Sequence, residues 1–176
     1  MATANSSWYR INALDLALCL RCNRLSRYWL PRIFFRGVSR LGNGIFWYAL
    51  MAALLTVDGA AALPTVLRML AAALAGLLVY KWLKVRTSRP RPYQVYAAIT
   101  ASAPVLDRFS FPSGHTLHAV SFTLIAGAAY PPLAPVLWLC TALVALSRPV
   151  LGLHYPSDVL AGAAIGAALA QLALAL

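Results

Sequence analysis

From residue 115 to residue 147 the chain carries no Asp, Glu, Lys or Arg, and the only groups there that can gain charge near neutral pH are His115 and His118. A bilayer core about 30 Å thick accepts a helix of about 20 such residues, because a helix satisfies its own backbone hydrogen bonds where no water is present. Tyr130, Pro131 and Pro132 divide the run, so it reads as a helical hairpin with two crossings. Three further runs have the same character. Residues 41–57 are free of charge, residues 60–83 contain only Arg68 and Lys81, and residues 157–176 contain only Asp158. Lys81 and Lys84 close the second of these runs, where their long stems can carry the ammonium groups to the headgroup level. The pattern predicts an all-α, polytopic transmembrane helix bundle with five spans, and composition agrees. A chain of 176 residues that is 61% hydrophobic and 11% charged has too little polar surface to cover a soluble globule. Its length fits a single membrane domain, residues 1–176.

The first forty residues are different. Residues 10–40 mix Leu, Trp and Phe with Arg10, Arg21, Arg24, Arg27, Arg32, Arg36 and Arg40, too many charges for a lipid-exposed span. They read as a basic amphipathic arm (1–40) lying at the interface, broken by Pro31 and bound to anionic lipids, ahead of a catalytic bundle (41–176). The other reading is a sixth, poorly hydrophobic span held inside the bundle. No signal-peptide pattern is present, so the N-terminus is expected to be retained. Fifteen Lys and Arg oppose four Asp, a net charge of +11. Anionic lipid and an anionic substrate are the two sinks for this charge; nucleic acid is disfavoured, since no soluble basic domain is there to hold it. Cys19, Cys22 and Cys140 form neither a disulfide framework nor a zinc set, and the CxxC reads as incidental.

Counting helices through the bilayer brings the chemistry together. The second span ends at Lys84, Arg86, Arg89 and Arg91; the third begins after Ser113, Gly114 and His115; the fourth ends at Ser147 and Arg148; the fifth begins after His154 and Asp158. All four clusters fall on one side of the membrane. Guanidinium forks and an ammonium group make an anion trap there, reinforced by the N-terminus of the third helix. Two histidines beside such a trap suit covalent acid–base chemistry, one attacking phosphorus and the other protonating the leaving oxygen. Asp158, four residues after His154, marks His154 as the attacker. His118, nearly one turn into the helix, reads as a packing or supporting residue.

Three motifs now stand in order. Lys84 through Arg91-Pro92 matches KxxxxxxRP, Pro112-Ser-Gly-His115 matches PSGH, and Ser147-Arg148 with His154 and Asp158 matches SRxxxxxHxxxD. The chain resembles the type 2 phosphatidic acid phosphatase superfamily. That resemblance implies phosphate binding by Lys84, Arg91 and Arg148, assisted by the Ser113 hydroxyl and the Gly114 backbone. It implies His154 as nucleophile, His115 as acid and then base, Asp158 as the orienting group, and neither metal nor cofactor. The expected function is metal-independent hydrolysis of a lipid phosphate or diphosphate: phosphatidic acid, phosphatidylglycerophosphate or a polyprenyl carrier. Lipid phosphotransfer and non-enzymatic binding of anionic lipid are the alternatives. The expected location is a bacterial-type inner membrane. The positive-inside rule puts the active-site end in the cytoplasm, whereas many bacterial relatives face outward. Gly162 and Gly166 form a small-residue seam that serves contacts within one bundle or between subunits, so oligomeric state stays open.

Overall fold

The computed structural model describes residues 4–105 and 107–176, with side chains from Asn12 onward. The first three residues of the arm and the side chain of Arg10 lie outside the described residues. The order is α1 (Ala4–Asn23), α2 (Trp29–Arg40), α3 (Phe46–Asp58), α4 (Leu63–Thr87), the single turn α5 (Pro92–Val95), α6 (Gly114–Ala129), α7 (Ala134–Val150) and α8 (Pro156–Ala175). The described residues contain no strand.

Local chemistry sets the ends that matter for the site. α4 stops where Ser88 turns left-handed at φ 46° and Pro90 cannot continue the helix. α6 starts at an N-cap serine, Ser113, whose Oγ accepts the Thr116 amide at 3.5 Å. α7 ends just after Pro149, and α8 starts with Pro156 in its first turn while the Asp158 carboxylate accepts the Tyr155 amide at 2.9 Å.

α6 is the centre of the bundle and packs against α4, α7 and α8. Thr116, Leu117, Ala119, Val120, Ser121, Phe122 and Thr123, in its first three turns, are buried. Trp47, Met51, Met69, Phe122, Ile125, Leu137 and Val144 form the main apolar core between α3, α4, α6 and α7. α8 lies unusually close to α6: a Cβ on Gly162 would stand 2.5 Å from the Ser113 carbonyl oxygen, and one on Gly166 would fall onto the Leu117 carbonyl. Between α6 and α7 the Thr123 and Thr141 hydroxyls pair at 2.7 Å, and Thr141 also donates to the Ala119 carbonyl at 3.1 Å. Such bonds hold helices together where apolar lipid offers no competing partner.

The outer faces are apolar as well. Leu67, Leu78 and Trp82 of α4, Val136 and Leu139 of α7, and Leu160 and Leu172 of α8 are exposed. A bundle apolar on both sides is the pattern of a membrane protein. Among the described residues three helical stretches are long and apolar enough to cross a membrane: Trp29–Val95, Pro131–Val150 and Pro156–Ala175. The first is not one rod, since it bends at Gly44 and again at the 3-10 turn Gly59–Ala62.

The arm folds back onto the bundle. α2 packs on α7, and α1 touches α7 and α8. Asn23 is buried and donates to the Thr100 and Val150 carbonyls, both at 3.0 Å, while accepting the Thr100 amide at 3.0 Å. It ties the arm to the segment around Thr100 and to the end of α7. Arg21, Arg24, Arg27, Arg32, Arg36 and Arg40 are exposed, as are Trp29, Leu30, Ile33 and Phe34.

Candidate active site

The end of α4, the starts of α6 and α8, and the end of α7 meet around a cavity of about 880 Å³. Lys84, Arg91, Gly114, His115, Arg148 and His154 line its polar end. Trp47, Leu70, Leu74, Leu77 and Phe122, from α3, α4 and α6, line an apolar extension. Ser113 and Asp158, expected at the same site, stand behind the wall. The Ser113 hydroxyl is engaged with Thr116 Oγ1 at 3.0 Å, and its amide donates to the Asp158 carbonyl at 3.0 Å. The hydroxyl is therefore spent within α6, and the amide joins α6 to α8.

His154 lies in the buried turn between α7 and α8. Its Nε2 is 3.2 Å from Arg91 Nη1, and its Nδ1 is 3.6 Å from Asp158 Oδ2. The second distance is too long for a hydrogen bond, and Nδ1 is buried with no partner among the described residues. Asp158 is held elsewhere: Oδ2 accepts from Tyr155 N and the Ser110 hydroxyl, and Oδ1 accepts from Arg89 Nη1 at 2.7 Å. An approach of about 0.5 Å would close the His154–Asp158 bond. Burial, and then the positive charges of Arg148, Arg91 and Lys84, hold the His154 imidazole well below the usual histidine pKa, so the free ring is neutral at pH 7.

The cations are not idle. Lys84 Nζ donates to Asp107 Oδ1 at 2.7 Å and to the Phe109 carbonyl at 2.9 Å. Arg91 Nη2 donates to the same carboxylate oxygen at 2.9 Å, and its Nε donates to the Asp107 carbonyl at 3.1 Å. Asp107 thus places one carboxylate oxygen between the two cations expected to receive phosphate. Burial pushes its carboxyl up, but the hydrogen bond and charge of Lys84 and the charge of Arg91 outweigh that and hold it below its usual value. Arg148 is buried and donates to Ser39 Oγ at 2.7 Å, and its Nε has no partner among the described residues.

Several of these groups carry no motif. Asn43 accepts a hydrogen bond at His115 Nε2. Asp15, from α1, binds Arg89 at 2.8 Å and the Ser157 amide at 2.9 Å, and so backs the residue that holds Asp158. Cys19 Sγ lies 3.8 Å from the His154 carbonyl. His118 lines the cavity, stacks on Phe122 at 5.7 Å and meets the edge of Tyr80 at 5.9 Å, and its Nδ1 has no partner among the described residues. Among the described residues no three His, Cys, Asp or Glu side chains stand close enough together to hold a metal ion.

The PAP2 superfamily profile matches residues 65–176. The decaprenylphosphoryl-5-phosphoribose phosphatase of Mycobacterium tuberculosis is 35% identical over 136 residues, covering 75% of this chain and 72% of that protein. The lipid A 1-phosphatase of Rhizobium johnstonii is 38% identical over 58 residues, 33% of this chain and 24% of that one. Among solved structures, Aquifex aeolicus LpxE superposes with a TM-score of 0.81 at 25% identity, covering 93% of this chain and 96% of its own. The PAP2 type phosphatidylglycerolphosphate phosphatase of Bacillus subtilis gives 0.73 at 25% identity, covering 94% and 85%. The profile runs over more than half of the sequence and through all three motifs, and the chain belongs to the PAP2 superfamily.

Proposed function

We propose that this protein is an integral-membrane phosphatase that hydrolyses a lipid phosphate or diphosphate through a phosphohistidine formed on His154. The observation that carries the reading is the two-part cavity, in which a cation cluster with two histidines opens into an apolar groove. Phosphate is the anion that three permanent cations and a helix N-terminus suit, and a hydrocarbon tail suits Leu70, Leu74, Leu77 and Phe122.

In the first step the phosphate replaces Asp107 on Lys84 and Arg91, with Arg148 and the Gly114 amide completing the oxygen contacts and Ser113 holding that amide in place as the cap of α6. His154 Nε2, already facing Arg91, attacks phosphorus. The N–P bond forms as the P–O bond to the lipid breaks, and His115 donates its proton to the departing oxygen. In the second step neutral His115 takes a proton from water, the water oxygen displaces His154, and inorganic phosphate leaves. Asp158 stabilises the charge on the His154 ring through its Nδ1 side. Nothing in these steps is assigned to a metal or cofactor.

The decaprenylphosphoryl-5-phosphoribose phosphatase match favours a polyprenyl-linked phosphate over the glycerolipid alternatives. We place five crossings at α3, α4, α6, α7 and α8, with α1 and α2 at the interface, where exposed arginines and aromatic residues meet anionic headgroups. Charge bias puts the site end in the cytoplasm. A phosphate-labelled polyprenyl phosphate incubated with the detergent-purified protein tests the reaction class. Stoichiometric free phosphate, lost in His154→Ala, is the expected result; label transferred to a second lipid would make the protein a phosphotransferase.

A further inference from the structure

The PAP2 profile begins at residue 65, yet the site is completed from before it. α2 and α3 are joined by a π-type turn, Leu41–Ile45, in which Gly44 adopts φ 118° and ψ −29°. An L side chain rarely adopts that backbone, and such widened turns concentrate where a side chain must be aimed at a functional group. On the other flank, a Cβ on Gly42 would lie 3.0 Å from the Val144 side chain, so the turn sits tight against α7. Between the two glycines Asn43 lines the cavity, and its Oδ1 meets His115 Nε2. An amide oxygen only accepts, so this pairing requires the hydrogen to be on Nε2, and in the neutral ring the free lone pair is then on Nδ1.

We propose that Asn43 is the positioning residue of His115, fixing its ring plane and tautomer so that Nδ1 carries the proton given to the leaving oxygen and taken back from water. The inference rests on the reading of His115 as the acid and base. The other groups around His115 are Arg148 from α7, His154 from the α7–α8 turn, His118 on α6 and Arg91 before α5. Lys84 and Asp107 line the same cavity, with the Asp107 carboxylate bound to Lys84 and Arg91. No carboxylate bonds to His115 among the described residues, so a carboxylate at position 43 would introduce a charge that the ring does not now meet.

The test is kcat/KM against pH for Asn43→Asp and Asn43→Ala, with His115→Ala beside them, using full-length protein in detergent micelles and a polyprenyl phosphate. A carboxylate on Nε2–H stabilises the imidazolium, so the acid stays protonated to higher pH. The alkaline limb should move up by about 1 pH unit in Asn43→Asp. Asn43→Ala should lower kcat about 10- to 100-fold while KM changes much less. An unmoved limb in Asn43→Asp, with His115→Ala inactive, overturns the role of Asn43 and leaves the role of His115 standing. An active His115→Ala overturns the reading beneath it. If the Asn43 variants do not fold, the 15N spectrum of histidine-labelled wild-type protein decides. A neutral His115 ring with its hydrogen on Nε2 supports the inference, and a neutral ring with its hydrogen on Nδ1 overturns it.

Discussion

One guanidinium, that of Arg91, touches both the proposed nucleophile and the carboxylate that stands where phosphate is expected. Asp107→Asn removes that carboxylate and leaves buried Lys84 and Arg91 without their anion. Inhibition by inorganic phosphate or vanadate should then tighten about three- to tenfold, the equivalent of roughly 1 kcal/mol of half-exposed ion pairing. Added phosphate should also raise the Tm of this variant more than that of wild type; equal shifts and equal inhibition would show that Asp107 does not compete for the site. Because the Asp107 pKa lies below 3.8 in the fold, its ion pairs contribute fully above that value and are lost only as pH falls through the lower, folded value. The lowered pKa of His154 makes a separate prediction. The nucleophile must be neutral, so the acidic limb of kcat/KM should lie below pH 6.5, and a limb above that value would contradict the assignment. The histidines and cations of the site were legible from motif and helix counting. Asp107, Asn43, Ser39 and Asp15 were not, because no spacing rule links an isolated residue to a group across the chain. The spacing of His154 and Asp158 misleads in one respect. Four residues suggest a bond, but His154 precedes α8, and the Asp158 oxygen facing it is shared with Tyr155 N and Ser110.

At the scale of elements, the seam between α6 and α8 sets the distance between the helix that begins with Ser113 and the helix that carries Asp158. Gly162→Ala puts a methyl group 2.5 Å from the Ser113 carbonyl oxygen, and backbone cannot yield there without moving one helix start relative to the other. We expect a loss of about 1–3 kcal/mol of stability and a fall in kcat of at least about tenfold. Gly37→Ala, with nothing within 4 Å, should leave both unchanged and serves as the control. Thermal unfolding and turnover of the two variants measured side by side decide this; equal behaviour would contradict the account of the seam. The glycine spacing was legible as close packing, and Pro131 and Pro132 gave the end of α6. The course of α1 and α2 was less legible. Arg21, Arg32, Arg36 and Arg40 are exposed, but the buried Asn23, Ser39 and Asp15 that dock the two helices look in sequence like ordinary interfacial residues, since their partners lie up to 142 residues away.

At the scale of the molecule, the bundle joins a charged chamber to an apolar groove and so matches a substrate with a phosphate at one end and hydrocarbon at the other. Fold class followed from the length of the uncharged runs, which leave the backbone no alternative to helix in lipid. The groove itself was not legible, because it depends on how α3 and α4 diverge. The central claim is covalent: phosphorus passes through His154. Rapid acid-free quenching of the protein during turnover of a phosphate-labelled lipid, followed by mass-spectrometric mapping, tests it directly. The account predicts an alkali-stable, acid-labile phosphoryl group on His154 that forms and decays at the turnover rate and is absent in His154→Ala. Label on any other residue, or full turnover in His154→Ala, would contradict it.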